Sequence, residues 1–183
     1  NQEWRNELRS RLSAKERSAL PRVRMPELDA RERSRGFQEV NTGLSEEQAV
    51  EEAKRCLDCS APTCISGCPV NINIPGFIKL IEKGDFNAAA RKLKETNALP
   101  AVCGRVCPQE IQCEANCVYQ KMKKPPVAIG YLERQPDWEP FSKIALDGEF
   151  AMQHHDQLTE DRVAGTLHRA EFLDRALRAA ISR

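Results

Sequence analysis

Apolar positions recur at intervals of three and four residues along several stretches of the chain, a spacing typical of amphipathic helices. A short helix is predicted over 4–12, followed by extended chain. A second helix is predicted after Ser45, because Ser45 and Gln48 match a capping box, and an apolar face then leads into Cys56. Strand patterns are nearly absent, so the sequence predicts an all-α domain.

Three further helices are predicted between residues 75 and 118. Proline suits the first turn of a helix over 75–82, and aspartate can cap an alanine-rich helix over 85–94. A short helix over 109–118 would place Cys113 and Cys117 four residues apart on one face. Both thiols could then point inward.

Composition divides the chain into three zones. Residues 1–44 are charged and are interpreted as an arm that lies on another surface. Residues 45–135 hold all eight cysteines and seven of the eleven prolines, which leaves helices and loops as the available structure. Residues 136–183 form a tail of unassigned role, in which apolar residues spaced by three and four over 163–181 predict an amphipathic docking or packing helix.

Length and charge limit the classes of function. A chain of 183 residues is near the usual size of one domain with extensions. With 40% hydrophobic and 5% aromatic residues its core is modest, so we expect something besides apolar burial to stabilise it. A net charge of +1 provides no basic field, which argues against nucleic acid as a partner.

The absence of targeting signals affects how the cysteines are interpreted. No apolar run approaches the roughly 20 residues needed to span a bilayer, and residues 1–11 are polar where a signal peptide would be apolar. A cytoplasmic location is therefore expected. Because that compartment is reducing, clustered cysteines there indicate a metal site more than disulfides.

The first group of cysteines has the spacing of an iron-sulfur motif. Cys56, Cys59, Cys64 and Cys68 are separated by two, four and three residues, and Pro69 follows the last of them. In the similar bacterial ferredoxin motif, three cysteines bind one cluster and the fourth, followed by proline, binds the other. This group therefore predicts ligands for a four-iron, four-sulfur cluster.

A second group of four cysteines predicts a second cluster. Its members, separated by three, five and three residues, are Cys103, Cys107, Cys113 and Cys117. Structural zinc is the competing interpretation, although zinc ligands usually come as two close pairs. Catalysis by cysteine would need a base, and the histidines all lie in the tail, at His154, His155 and His168.

Several short stretches carry a resemblance to a known family. They are 55–59 (RCLDC), 67–70 (GCPV), 74–77 (IPGF), 97–100 (NALP), 103–109 (CGRVCPQ) and 128–134 (AIGYLER), with 21–23 and 25–26 in the arm. Over 47–133 the sequence resembles the N-terminal iron-sulfur domain of the small (beta) subunit of bacterial glutamate synthase. That domain is shared with the larger subunit of bifurcating ferredoxin:NADP oxidoreductases and with dihydropyrimidine dehydrogenase.

The resemblance implies a helical domain whose loops wrap two 4Fe-4S clusters with crossed ligation. The implied ligands of the first cluster are Cys56, Cys59, Cys64 and Cys117, and those of the second include Cys68, Cys107 and Cys113. In relatives the remaining ligand can be a non-cysteine side chain sixteen residues after the last cysteine, which here is Glu133. Cys103 is the rival ligand, and its alternative role is that of a small buried residue packed beside the cluster.

The resemblance also implies an electron-transfer role. In the resembling enzyme, NADPH reduces FAD on the small subunit, and electrons pass through iron-sulfur clusters to FMN on the large subunit, where 2-oxoglutarate and ammonia from glutamine become glutamate. The partners implied are flavin-containing oxidoreductase domains or subunits, including the glutamate synthase large subunit.

The glycine-rich turns of nucleotide-binding domains are missing from this sequence. Only Gly148 and Gly165 follow Gly130, and no G-x-G-x-x-G occurs. FAD and NADPH are therefore expected on missing domains or on a partner, and the chain is expected to be either an excised domain or a stand-alone carrier that is not catalytic alone. Two alternatives are the same module in another flavin oxidoreductase and a zinc-bound structural or interaction module.

Overall fold

Helices and loops make up the part of the chain that the computed structural model describes, residues 3–134. The α-helices are α1 (Glu3–Arg11), α2 (Ala14–Ala19), α3 (Ala30–Arg33), α4 (Glu46–Lys54), α5 (Thr63–Ser66), α6 (Ile74–Glu82), α7 (Phe86–Lys94), α8 (Pro100–Val106), α9 (Val118–Lys121) and α10 (Ile129–Glu133). Within these residues there is no β-strand, and Glu27 and Asn41 form an isolated bridge. The expected all-α class is confirmed.

The helices that begin at clear capping residues lie where the sequence predicts them. Ser45 Oγ accepts a hydrogen bond from the Gln48 amide at 3.2 Å, and the Gln48 side chain accepts one from the Ser45 amide at 2.9 Å. Asp85 caps α7 through the Ala88 amide at 3.0 Å. These bonds satisfy amide groups that a helix start leaves without partners, which fixes where α4 and α7 begin.

Two expectations about local structure were wrong. The chain after α1 is not all extended, because Ser13 and Glu16 form a second capping box that starts α2. A single helix over 109–118 does not form either. A 3-10 turn over Gln109–Ile111 ends at Gln112, whose dihedral angles (φ −112°, ψ −107°) leave the helical region, and the next helix, α9, begins only after Cys117.

The apolar core lies where α6 packs against α4 and α7. Its fully buried side chains come from those helices and from α10, and include Ala49, Ala53, Phe77, Ile78, Ile81, Leu93 and Leu132. A second contact joins α8 to α10.

A buried carboxylate connects three parts of the described chain. Glu52 is inaccessible to solvent and accepts hydrogen bonds from the Val23 amide at 2.8 Å, the Arg55 guanidinium at 2.6 Å and the Ala128 amide at 2.8 Å. Burying a charge is costly unless it is paired and fully hydrogen-bonded, as it is here. Glu52 thereby joins the arm and the start of α10 to α4.

The arm, residues 3–44 of the described chain, packs against the residues that carry the cysteines. The Tyr119 hydroxyl donates to the backbone oxygens of Arg17 and Arg55 at 3.1 and 2.7 Å, and the Lys124 ammonium donates to the Ser18 oxygen at 2.7 Å. All described residues belong to one compact unit. The helix predicted over 163–181 and the three histidines lie outside the described residues.

The helices of residues 3–134 are short. None of those between residues 3 and 134 combines the length and the apolar character that crossing a bilayer requires.

Candidate metal centre

Four cysteines surround one cavity beside the helical core. The cavity has an empty volume of about 390 Å³, which includes open solvent at its mouth. The thiols that line it belong to Cys56, Cys59, Cys64 and Cys117. Apolar side chains form the remaining wall, among them Ile74, Ile78, Val127 and Ile129. Three residues of the first cysteine group thus meet one residue of the second.

Local backbone structure brings these cysteines to the cavity. Cys56 follows the end of α4, Cys64 lies in α5, and Cys117 is the residue that precedes α9. Thr63 Oγ1 donates a 2.5 Å hydrogen bond to the Asn116 oxygen, which holds α5 against the loop that ends at Cys117. Gly67 lies against the same loop, since a Cβ atom there would be 2.7 Å from the Gln112 oxygen.

The thiols of this first site oppose one another's ionisation. Burial raises the pKa of Cys64 to about 12, and the negative charges of Cys56 and Cys117 act in the same direction. Burial also raises the pKa of Cys56 to about 11 and raises that of Cys59. Because four thiolates cannot share a buried cavity without cations between them, these soft sulfur donors suit iron. The residues present therefore fit an iron-sulfur cluster.

A second group of acidic side chains forms where the two cysteine loops and α10 meet. Burial raises the pKa of Cys113 to about 12, and the negative charges of Glu114 and Glu133 add to the shift. Burial raises the pKa of Cys107 to about 11, with additions from Cys103 and Glu133. Cys68 contributes to both shifts. Cys68 and Glu133 thus influence the ionisation of both Cys107 and Cys113.

Glu133 is a buried carboxylate at the end of α10. Burial raises its pKa to about 7, and a 2.8 Å hydrogen bond from Asn97 Nδ2 to Glu133 Oε1 opposes that shift. Gly104 allows α8 to approach this point, since a Cβ atom at Gly104 would be 2.7 Å from the Arg134 amide nitrogen. The close contact of the two helices fixes where the carboxylate lies.

Cys103, the alternative to Glu133, is half-buried in α8. Its thiol donates to Asn97 Oδ1 at 3.5 Å, and its negative charge would raise the pKa of Cys107. Asn97 thus contacts both candidate ligands, through opposite ends of its side-chain amide. Glu133 acts on the pKa of both Cys107 and Cys113, whereas the thiol of Cys103 faces Asn97 and Cys107.

The break in the predicted 109–118 helix turns Cys113 and Cys117 in different directions. A continuous helix would have placed both cysteines on one face, pointing towards the same site. In the structure Cys117 lines the cavity of the first site, whereas Cys113, which directly follows the turn at Gln112, does not. Within residues 3–134, no three cysteine, histidine or acidic side chains lie close enough to hold a single metal ion.

Sequence analysis missed several side chains that support these loops. Asp58, between Cys56 and Cys59, has a positive φ of 53° and is buried against Arg5 and Arg9 of the arm. Asn97 orients Glu133, and Lys79 donates to the Cys56 oxygen at 2.6 Å. Asp58 and Asn97 lie within the stretches that carry the resemblance, but only the fold assigns them partners.

Comparison with known proteins identifies relatives of this chain. The glutamate synthase (NADPH) small chain of Azospirillum brasilense is 41% identical over 112 residues, which cover 61% of this chain and 23% of that protein. The Escherichia coli K12 small chain is 42% identical over 115 residues, 63% of this chain and 24% of the relative. The chain thus spans about a quarter of the length of these curated relatives.

Other relatives and a family match extend the comparison. The NAD-dependent dihydropyrimidine dehydrogenase subunit PreT of Escherichia coli K12 is 35% identical over 114 residues, which cover 55% of this chain and 27% of that protein. The family described as dihydropyrimidine dehydrogenase domain II, 4Fe-4S cluster, matches residues 33–139, more than half of the chain. The chain belongs to this family, and it is an iron-sulfur domain of the kind found in glutamate synthase small chains.

Proposed function

We propose that this domain binds two 4Fe-4S clusters and relays electrons between flavins in an oxidoreductase of the glutamate synthase type. The observation that carries the proposal is the cavity lined by Cys56, Cys59, Cys64 and Cys117. Four thiols from two distant parts of the sequence converge there, as crossed ligation requires. A bound cluster would supply one-electron storage, which passes electrons singly between flavins.

The protein's own residues would hold and shield the first cluster. Cys56, Cys59, Cys64 and Cys117 would supply the four thiolates. Ile74 and Ile78 of α6 line the same cavity and would exclude water from one side. A dry environment of low dielectric strengthens the effect of nearby charges, which is one way in which a protein tunes a cluster.

At the second site we assign Cys68, Cys107, Cys113 and Glu133 as ligands. The negative charges of Cys68 and Glu133 act on both Cys107 and Cys113, which supports the assignment. Burial of Glu133, which raises its pKa to about 7, also supports it, because a buried carboxylate without a cation is costly. Cys103 would remain a free thiol beside the cluster, held by Asn97.

The enzyme around this domain is also part of the proposal. Relatives named as NADPH-linked glutamate synthase small chains and as NAD-dependent dihydropyrimidine dehydrogenase subunits support a pyridine nucleotide as the electron source. FAD and NADPH would bind domains outside this sequence, or a partner. FMN would lie on a partner of the glutamate synthase large-subunit type, to which the clusters deliver electrons.

Anaerobic reconstitution with iron and sulfide tests the proposal. The expected result is a brown protein whose visible absorbance bleaches on reduction and whose reduced form gives an EPR signal. Stoichiometric zinc in the purified protein, with no visible absorbance after reconstitution, would contradict it, because zinc is colourless and has no redox chemistry. Reconstitution of the Cys117→Ser variant should specifically impair the first cluster.

A further inference from the structure

Three charged side chains are buried together behind the first site. Arg17, Lys79 and Glu82 have side-chain exposures of 3%, 0% and 4%. Glu82 accepts from Lys79 Nζ at 2.5 Å through Oε2, and from Arg17 Nη2 at 2.9 Å through Oε1. A second Arg17 nitrogen, Nη1, donates to Glu82 Oε2 at 3.0 Å. The carboxylate therefore lies between two cations.

The charges of this trio do not cancel. Two cations share one carboxylate, which leaves one positive charge without a counter-charge inside the trio. The other donors of Arg17 go to the backbone oxygens of Leu8, Leu12 and Lys54, at 2.5, 3.2 and 2.6 Å. Such oxygens satisfy the guanidinium but carry no net charge. Because an isolated buried charge is costly, a further anion nearby would stabilise the trio.

Lys79 directs this excess charge towards the first cluster site. Its ammonium donates to the Cys56 oxygen at 2.6 Å, and its neighbour Ile78 on α6 lines the cavity of the four cysteines. The Lys79 side chain is fully buried, so its charge lies in a low-dielectric region beside the loop that carries Cys56 and Cys59. The ammonium therefore lies buried against the backbone of a residue that we assign as a ligand of the first cluster.

We propose that Lys79, positioned by Glu82 and Arg17, raises the reduction potential of the first cluster and has that cluster as its counter-ion. The inference rests on the proposed ligands of the first site. A cubane held by four thiolates is an anion, and reduction adds one electron without breaking a bond. A fixed cation within a low-dielectric interior favours the more negative form, so it favours reduction.

Substitutions of opposite sign test this role. The reconstituted chain is titrated with dithionite and redox mediators, and both clusters are followed by EPR. Lys79→Met, which keeps the length of the side chain, should lower one midpoint potential and leave the other unchanged. Glu82→Gln, which keeps the shape of the side chain but removes its negative charge and replaces one acceptor oxygen with an NH2 group, should raise the same potential. Lys92→Met removes the same charge from a partly exposed side chain paired with Glu95 and should move neither.

A purely structural role would give a different pattern. Damage to the fold would move the potential in the same direction in both variants, or would release iron from both. Either result overturns the inference. An unchanged or lowered potential in Glu82→Gln also overturns it, even when measured without the other variant. The test therefore remains decisive if the Lys79→Met protein fails to fold. Iron content is measured on each sample, because absence of the cluster in the wild-type chain would refute the proposed function instead.

Discussion

The contact between the arm and the first cysteine loop gives the most specific prediction for stability. Asp58 adopts a left-handed backbone conformation, with φ 53°, between Cys56 and Cys59. Its carboxylate accepts from Arg5 through both oxygens and from Arg9 Nε at 2.7 Å. The substitution Asp58→Ala removes these bonds while keeping a Cβ atom in the left-handed region.

The loss in free energy of unfolding depends on how exposed each ion pair is. The Arg5 side chain is 18% exposed and binds both carboxylate oxygens, so its loss should cost about 2 kcal/mol. Arg9 is 48% exposed and should contribute about 0.5 kcal/mol. Aspartate already places a Cβ atom in the left-handed region, so alanine adds little backbone strain of its own. Asp58→Ala should therefore cost about 2.5 kcal/mol, and Asp58→Gly about 1 kcal/mol less, because glycine has no Cβ atom and adopts this conformation freely.

Limited proteolysis measures the expected opening of α1. Trypsin cleavage within α1 of the reconstituted protein, followed by mass spectrometry, reports the open population when opening is fast relative to cleavage. At about 1.4 kcal/mol per tenfold change, cleavage should rise roughly sixtyfold in Asp58→Ala and by less in Asp58→Gly. Glu7→Ala, which removes an exposed pair with Arg11, is the control and should change cleavage little.

Two results would refute this account of the arm. Wild-type cleavage in Asp58→Ala would mean that the arginine contacts do not hold α1. A glycine variant that is cleaved faster than the alanine variant would mean that the left-handed conformation at this position is not maintained in solution.

Three further predictions concern the second site and the role of the clusters in folding. Glu133→Ala should leave an open iron that is labile to oxygen, and Glu133→Cys should keep the cluster with a shifted potential. Cys103→Ala should lower the free energy of unfolding by about 1 kcal/mol with no loss of iron. If Cys103 is the ligand instead, EPR and iron counts will show iron lost from Cys103→Ala and the Glu133 variants unchanged. Gly104→Ala should displace α10, because its Cβ would lie 2.7 Å from the Arg134 nitrogen, and so should lower iron content at the second site alone; equal loss from both sites would indicate general misfolding. Removing both clusters by chelation and oxidation should collapse the helical circular dichroism, because metal binding contributes folding free energy; a cooperative melt of the cluster-free protein would contradict this.

Local sequence signals predicted the helices whose ends are fixed by neighbouring residues. Ser45 with Gln48 and Asp85 with Ala88 lie within one turn of each other, so their capping bonds could be recognised from spacing. The turn after Gln112 could not, because it depends on where Cys113 and Cys117 must go in three dimensions. A helical interpretation of 109–118 satisfied local propensity and was overridden by tertiary structure.

The cysteines themselves were recognised from spacing, but their surroundings were not. Asp58, Lys79 and Asn97 find their partners at separations of 53, 23 and 36 residues, in Arg5, Cys56 and Glu133. No local pattern encodes pairs so distant. The supporting charges and hydrogen bonds of a metal site therefore become visible only when the fold brings them together.

The number of clusters is the central claim, and a metal and sulfide assay tests it most directly. The anaerobically reconstituted chain is freed of unbound iron, and iron, acid-labile sulfide and zinc are measured per polypeptide. Two cubanes predict about eight irons and about eight sulfides with negligible zinc. Four irons and four sulfides per chain, or one or two zinc ions without sulfide, would contradict the account.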